Sequence, residues 1–410
     1  MLKSHPYRTL TLIWLAWAIV LLSFQGIVNA RYQPNRPDRA LEWTPSETSK
    51  RSQAGKDFLT EPFMNHQVAW DSEFYLGIAV GGYDDPRITT GNLRAGGTLP
   101  LSYAFFPLYP AAISVLATPL RLLNLNPIAA ATLGGVLVSL LGTLAAMMAL
   151  YELTRDELGE EGGIRTAFYL LIFPSGFFLA QVYTEGLFVG LAFGCLALIH
   201  RQHLFWAAVL AALATLTKGI GIALILPLAW HWFTHVDRRT LRQRFSIRSV
   251  NLETAALILL PIAAYLAWHF TLGDKAFLIE RDHFGRGLLN WSQFSRGVGV
   301  MFNSFRDGSN PQMTTYYALE AASVIIMVVS CLFTFRHYPG LTCYCVVAIL
   351  LPVTGSAPQS IIRYVLAVPA VFIMLARFGR NPVFDRGWTM FSLLLMGMLV
   401  SLYTFDMWVA

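Results

Sequence analysis

Apolar runs of roughly 18 to 25 residues recur along nearly the whole chain, and this leaves few folds open, because each run can cross the hydrocarbon core of a bilayer as a helix. Lipid offers no partner to a backbone N–H or C=O, so only helices and closed barrels span it. Long apolar runs without in-and-out alternation exclude a barrel. The expectation is an all-α polytopic membrane protein with about eleven transmembrane helices, one multi-pass domain over residues 1–410. Composition agrees, since 55% of the residues are hydrophobic and only 13% charged, well outside the balance of a soluble domain.

The crossings are predicted at about 10–30, 127–152, 164–181, 185–199, 204–217, 221–234, 252–272, 314–335, 340–354, 362–377 and 387–405. Short-loop Lys and Arg favour the cytoplasmic side. With these crossings Lys3, Arg8, Arg336 and the stretches 155–165, 200–203, 238–248 and 380–386 share that side. The net charge of +6 is read as this topological bias, and no nucleic-acid partner is expected. The opposite, outer face receives a long loop of about 31–126, a second loop of about 273–313, and the shorter stretches at 183–185, 218 and 355–360. Within the first loop, 102–122 is apolar and long enough to span, but its Phe105-Phe106-Pro107-Leu108-Tyr109-Pro110 start breaks helix geometry; of the two readings, a span or a segment lying against the bundle, the second is preferred. Cys195, Cys331, Cys343 and Cys345 all fall in apolar segments, which suggests neither a disulfide framework nor a metal site.

Loops of this length carry function. In the first, Trp70 to Tyr83 (WDSEFYLGIAVGGY) spaces Phe74, Tyr75, Ile78 and Ala79 on one helical face and puts Asp71, Ser72 and Glu73 in the first turn. A short helix lying on the bilayer is expected there, with Asp71 at its mouth, either as an N-cap or as a reactive carboxylate. Ionisable groups at membrane depth are costly and therefore informative. Glu185 and Lys218 border apolar helices, Glu320 reads as an interhelical hydrogen bonder, and Arg363 opens a helix whose following residues are apolar. A guanidinium in that position needs an anion, and its fork fits phosphate oxygens. The second loop interleaves Arg281, His283, Phe284, Arg286, Trp291 and Phe294, a composition suited to phosphate head groups. No P-loop, dinucleotide fingerprint or zinc-protease motif occurs, so the expected chemistry is transfer of a group that arrives already activated, on a lipid phosphate. A transporter or flippase of a lipid-linked or polar solute is the rival reading, although no inverted repeat is visible.

Five blocks together resemble the PIG-V type of mannosyltransferase, the GPI mannosyltransferase 2 family and its bacterial relatives in the GT-C class. They are Trp70-Asp71-Ser72-Glu73-Phe74-Tyr75; Phe105 to Pro110; Phe173-Pro174-Ser175 with Tyr183-Thr184-Glu185; Ala214-Thr215-Leu216-Thr217-Lys218; and Arg363-Tyr364. The resemblance implies an inverting transferase that moves mannose or another hexose from a polyprenyl- or dolichyl-phosphate sugar to a glycan or glycolipid acceptor, on the outer face and without a metal or other cofactor. It implies Asp71 as general base. Donor phosphate would fall to Arg363, Arg281, Arg286 and Lys218, and sugar or acceptor to Trp70, Glu73, Tyr75, Tyr109 and Glu185. The expected location is a bacterial plasma membrane, or the endoplasmic reticulum if the chain is eukaryotic.

Overall fold

The computed structural model describes residues 5–235, 252–272, 274–287 and 289–410; Lys3 and the 238–248 stretch lie outside the described residues. The chain runs α1 (Pro6–Arg31), α2 (Thr44–Glu47), α3 (Asp57–Thr60), α4 (Ser72–Gly81), a hairpin of β1 (Thr90–Asn92) and β2 (Thr98–Pro100), then α5 (Leu108–Leu120), α6 (Pro127–Ile172), α7 (Glu185–His200), α8 (Leu204–Thr217) and α9 (Ile225–His235). It continues with α10 (Leu252–Leu272), α11 (Lys275–Asp282), α12 (Trp291–Asp307), α13 (Pro311–Thr334), α14 (Pro339–Gly355), α15 (Ile361–Tyr364), α16 (Pro369–Phe378) and α17 (Pro382–Thr404). The all-α expectation holds, because the described strands are this one antiparallel hairpin. Four helices, α1, α6, α13 and α17, are each long and apolar enough to cross a membrane alone. Two bent pairs qualify together: 257–272 with α11, at 90°, and 361–367 with α16, at 79°. The chain is a multi-pass membrane protein.

Helix boundaries depart from the predicted crossings where backbone chemistry intervenes. The runs predicted at 127–152 and 164–181 are the two arms of α6, which breaks between them at Gly159, where φ 76° and ψ 175° are not helical and glycine pays no Cβ penalty. The second arm stops at Ile172, because Pro174 lacks the N–H that would continue the ladder and pushes Phe173 out of helical geometry. Residues 173–184 then form a buried irregular segment around a 3-10 turn at Gly176–Ala180. The break expected at Lys218 is present, as this residue is extended with φ −156° and ψ 132°. In 102–122 the only α-helix is α5, whose 13 residues reach about 20 Å at 1.5 Å per residue, short of a bilayer core.

Small residues let α6 and α7 approach closely, as apolar helices do where lipid supplies no hydrophobic drive between them. A Cβ at Gly186 would run into the carbonyl oxygen of Ser139, and one at Gly190 or Gly142 would meet the facing backbone likewise. Backbone cannot swing aside as a side chain can, so Gly186→Ala is expected to cost about 1–3 kcal/mol. Thermal unfolding of purified protein in detergent checks this as a lowered Tm.

The two ends of the bundle differ in charge chemistry. At one end Glu152 takes Arg155 and Arg201 at 3.0 Å each, Asp156 takes His200 at 3.3 Å, and Glu157 takes Arg377 at 2.8 Å. These pairs gather the 152–157 turn of α6, the α7–α8 link and the end of α16, three stretches that the charge pattern puts on one side. The other end holds the two long loops.

Candidate functional site

Helix α4 forms as expected, but it does not lie on the bilayer. Ser72, Glu73, Phe74, Tyr75, Leu76 and Gly77 are all buried. Phe58 and Ile88 close over Gly77, and Phe105 stacks on Phe74 with ring centroids 4.6 Å apart. One-sided periodicity suggested a surface helix because the elements covering its other side come from elsewhere in the loop. Its entrance is fixed from the irregular segment 173–184. Ser72 Oγ donates to the Val182 carbonyl at 3.0 Å, the Val182 N–H donates to Gln67 O at 3.0 Å, and the Asp71 N–H donates to Tyr183 Oη at 3.3 Å. Trp70, immediately before, has φ 53°, a left-handed conformation unusual for a bulky residue and typical of functional sites.

Asp71 stands at the N-cap position of α4, but its side chain bonds none of the helix N–H groups. Oδ2 instead accepts from Arg363 Nη1 at 2.9 Å, across 292 residues of sequence. The Arg363 Nε faces Glu185 Oε1 at 3.3 Å, and Lys218 Nζ donates to the same oxygen at 2.6 Å. Acid and base therefore alternate as Asp71, Arg363, Glu185, Lys218, brought together from α4, α15, α7 and the α8 break. Arg363 also lies over the rings of Tyr183 and Phe178, at 5.1 and 5.6 Å, and Lys218 over that of Tyr364 at 4.5 Å. Arg363 was expected to need an anion; the anions it meets are the two carboxylates, with its side chain 6% exposed and that of Asp71 27% exposed. Among the described residues Asp71 Oδ1 has no hydrogen-bond partner, so one oxygen is held and the other is free on a side chain that solvent reaches.

Glu320 of α13 holds α15 in register. Its Oε2 accepts from the N–H groups of Ile361 and Ile362 at 2.7 and 3.2 Å, where an acid complements the positive helix end. Ser360, at φ 64°, turns the chain into α15, and its N–H donates to Tyr316 Oη at 3.0 Å. Arg363 thus projects from a short turn fixed from outside.

The remaining candidates divide. Arg286 joins the site: solvent reaches it although protein surrounds it, and no ion pair holds it among the described residues. Enclosure pulls its pKa down, but Tyr364, Glu280 and Asp71 more than offset this, so the group sits above its ordinary value. Arg281 faces elsewhere, paired with Asp282 at 2.6 Å on the surface, where Asp282 also accepts the Arg94 N–H and ties the two long loops together. Glu73 Oε1 accepts from the N–H and Oγ1 of Thr89 at 2.9 and 2.6 Å, bracing the segment before β1. Tyr75 packs edge-on against Tyr109 at 5.2 Å, and the Tyr109 hydroxyl lies within the bundle, donating to Gly135 O at 3.1 Å. Trp70 meets Trp408 and Trp43 edge-to-face, with centroids 5.0 and 5.9 Å away. Sequence reasoning missed Trp43 and Trp408, and also the buried Gln25, Gln67 and Gln181, which bond one another and tie α1 to the segments before α4 and α7. The signal for these was polarity inside apolar or irregular stretches, with nothing local to say what they faced.

A multi-pass helical bundle that buries alternating acids and cations beneath two long loops on one end is built like a membrane glycosyltransferase. Residues 9–272 match the family model described as Mannosyltransferase (PIG-V), and the chain belongs to that family. No curated protein is matched. Solved structures with a likeness include ArnT from Cupriavidus metallidurans bound to undecaprenyl phosphate, 15% identical at TM-score 0.47 over 94% of this chain and 63% of that one. The same protein in the apo state is 18% identical at TM-score 0.46, over 81% and 58%. The Archaeoglobus fulgidus oligosaccharyltransferase in complex with Zn and sulfate is 14% identical at TM-score 0.39, over 82% and 49%. These are remote likenesses, and the chain spans about three fifths of the length of ArnT.

Proposed function

We propose that the chain transfers mannose, or another hexose, from a polyprenyl- or dolichyl-phosphate sugar to a hydroxyl of a glycan or glycolipid acceptor, on the outer face of the membrane. Asp71, with one oxygen fixed by Arg363 and the other free, supports this reading most directly. A positioned base of this kind contributes about 100- to 10,000-fold. The free oxygen takes the acceptor proton as the acceptor oxygen bonds to the anomeric carbon. The bond from that carbon to the phosphate oxygen breaks with its electron pair, and the lipid phosphate leaves from the opposite side, so a single displacement inverts the centre.

Arg286, exposed and without an ion pair among the described residues, is the cation for the leaving phosphate, with Lys218 as a second cation; the reaction needs no resident metal in this reading. Arg363, clamped between two carboxylates, orients the base. Arg286→Gln is expected to raise KM for the lipid-phosphate donor about 10- to 100-fold, the worth of one hydrogen bond to a charged group. Steady-state kinetics against donor concentration check it; an unchanged KM would move the phosphate to Lys218. Mannose is tested against glucose on the same polyprenyl phosphate, and preference for the glucosyl donor would replace the sugar while leaving the mechanism in place.

A further inference from the structure

Helix α12 carries three chemically distinct sectors. At 3.6 residues per turn, Trp291, Val298, Phe302 and Phe305 fall within an arc of about 60°. Trp291, Phe302 and Phe305 are 58%, 64% and 41% exposed, so the three rings of this apolar stripe are left largely uncovered by the described residues. The next sector holds Ser292, Arg296, Asn303 and Arg306, all exposed, with Asp307 at the far end bonded by Ser309 Oγ. The third sector packs: Met301 meets the cluster of Leu41, Tyr316 and Tyr317, and Ser304 Oγ pairs with Thr314 Oγ1 at 3.1 Å.

Its position fixes what covers the stripe. Only Gly308, Ser309 and Asn310 separate α12 from the membrane-crossing α13, so the helix lies at the bilayer boundary, on the end that holds the site. An apolar stripe flanked by arginines there matches a leaflet, with acyl chains below and phosphates level with the cations. The packed sector leads to the site. Gly297 is buried against Ala357 and Pro358, where any Cβ would run into the proline ring, and the Gly287 N–H donates to Gly355 O at 2.9 Å. The loop held in this way, 355–360, turns directly into α15 and Arg363.

We propose that α12 is an in-plane membrane-surface helix, its stripe in the acyl region and Arg296 and Arg306 on headgroup phosphates, and that its docking holds the 355–360 loop and so positions Arg363. The link to catalysis rests on the function proposed above; the docking does not. Nitroxide labels at Phe302→Cys and Asn303→Cys, adjacent residues in different sectors, are compared in phosphatidylcholine–phosphatidylglycerol nanodiscs, with the unsubstituted protein labelled in parallel as the blank. The expected result is oxygen access at 302 and nickel-chelate access at 303; nickel access at both overturns the docking. Adding Arg296→Gln and Arg306→Gln is expected to make the 302 label shallower, and equal depth overturns the headgroup role. A label at Gln359→Cys reads the loop without any sugar transfer. Gly297→Leu is expected to loosen that label while the 302 label stays deep, and unchanged mobility overturns the coupling. If the wild type transfers no sugar, the function fails while these labels still decide the proposal.

Discussion

Asp71→Asn is expected to lower sugar transfer by about 100- to 10,000-fold while leaving a folded protein, as loss of a positioned general base does. The amide keeps the shape of the carboxylate and an oxygen for Arg363 Nη1, now 2.9 Å from Oδ2, but cannot take a proton. The fold tolerates the change because Arg363 keeps Glu185 as counter-ion at 3.3 Å. Tm close to wild type combined with lost transfer separates this role from a structural one. Asp71→Glu keeps a base but moves it by a methylene, and is expected to retain more activity than the amide. Near-full transfer by the Asn variant would remove Asp71 from the mechanism.

Arg363→Met produces the opposite balance of effects. The guanidinium is 6% exposed and bridges Asp71 and Glu185, so removing it leaves Glu185 with Lys218 alone and Asp71 without an ion partner among the described residues. Breaking a buried ion pair by deleting one partner costs about 3–5 kcal/mol. A large fall in Tm and loss of transfer are therefore expected together. Asp71→Asn in the same chain removes the orphaned charge and is expected to recover much of the Tm without recovering transfer, because the base is gone. Recovery of both would mean that the Asp71–Arg363 pair serves stability alone.

The sequence made much of this visible, and its failures have physical causes. Apolar runs located α1, α13 and α17 within a few residues, because lipid requires the pattern. The break between the two arms of α6 was legible too, since Gly159, with its non-helical φ and ψ, sits in the charged stretch that reads as a connection. Asp71 and Arg363 each stood out alone, one as an acid in a long loop and the other as a cation opening an apolar helix. Their pairing did not, because nothing local encodes a contact across 292 residues. Arg363 called for an anion, and charge alone does not distinguish a lipid phosphate from two carboxylates of the same chain. Arg286 and Arg281 look equivalent in composition, five residues apart; only the turn through Gly285, at φ 63°, separates a cation lining the site from one tied to Asp282 on the surface.

The most direct test of the central claim is transfer of radiolabelled mannose from polyprenyl-phosphate-mannose to membrane acceptors by purified protein in liposomes, wild type beside Asp71→Asn. The expected result is label in acceptor with the wild type and its loss in the variant. No label with either protein, or equal label with both, would contradict the account: the first would remove the donor or acceptor class, and the second the base.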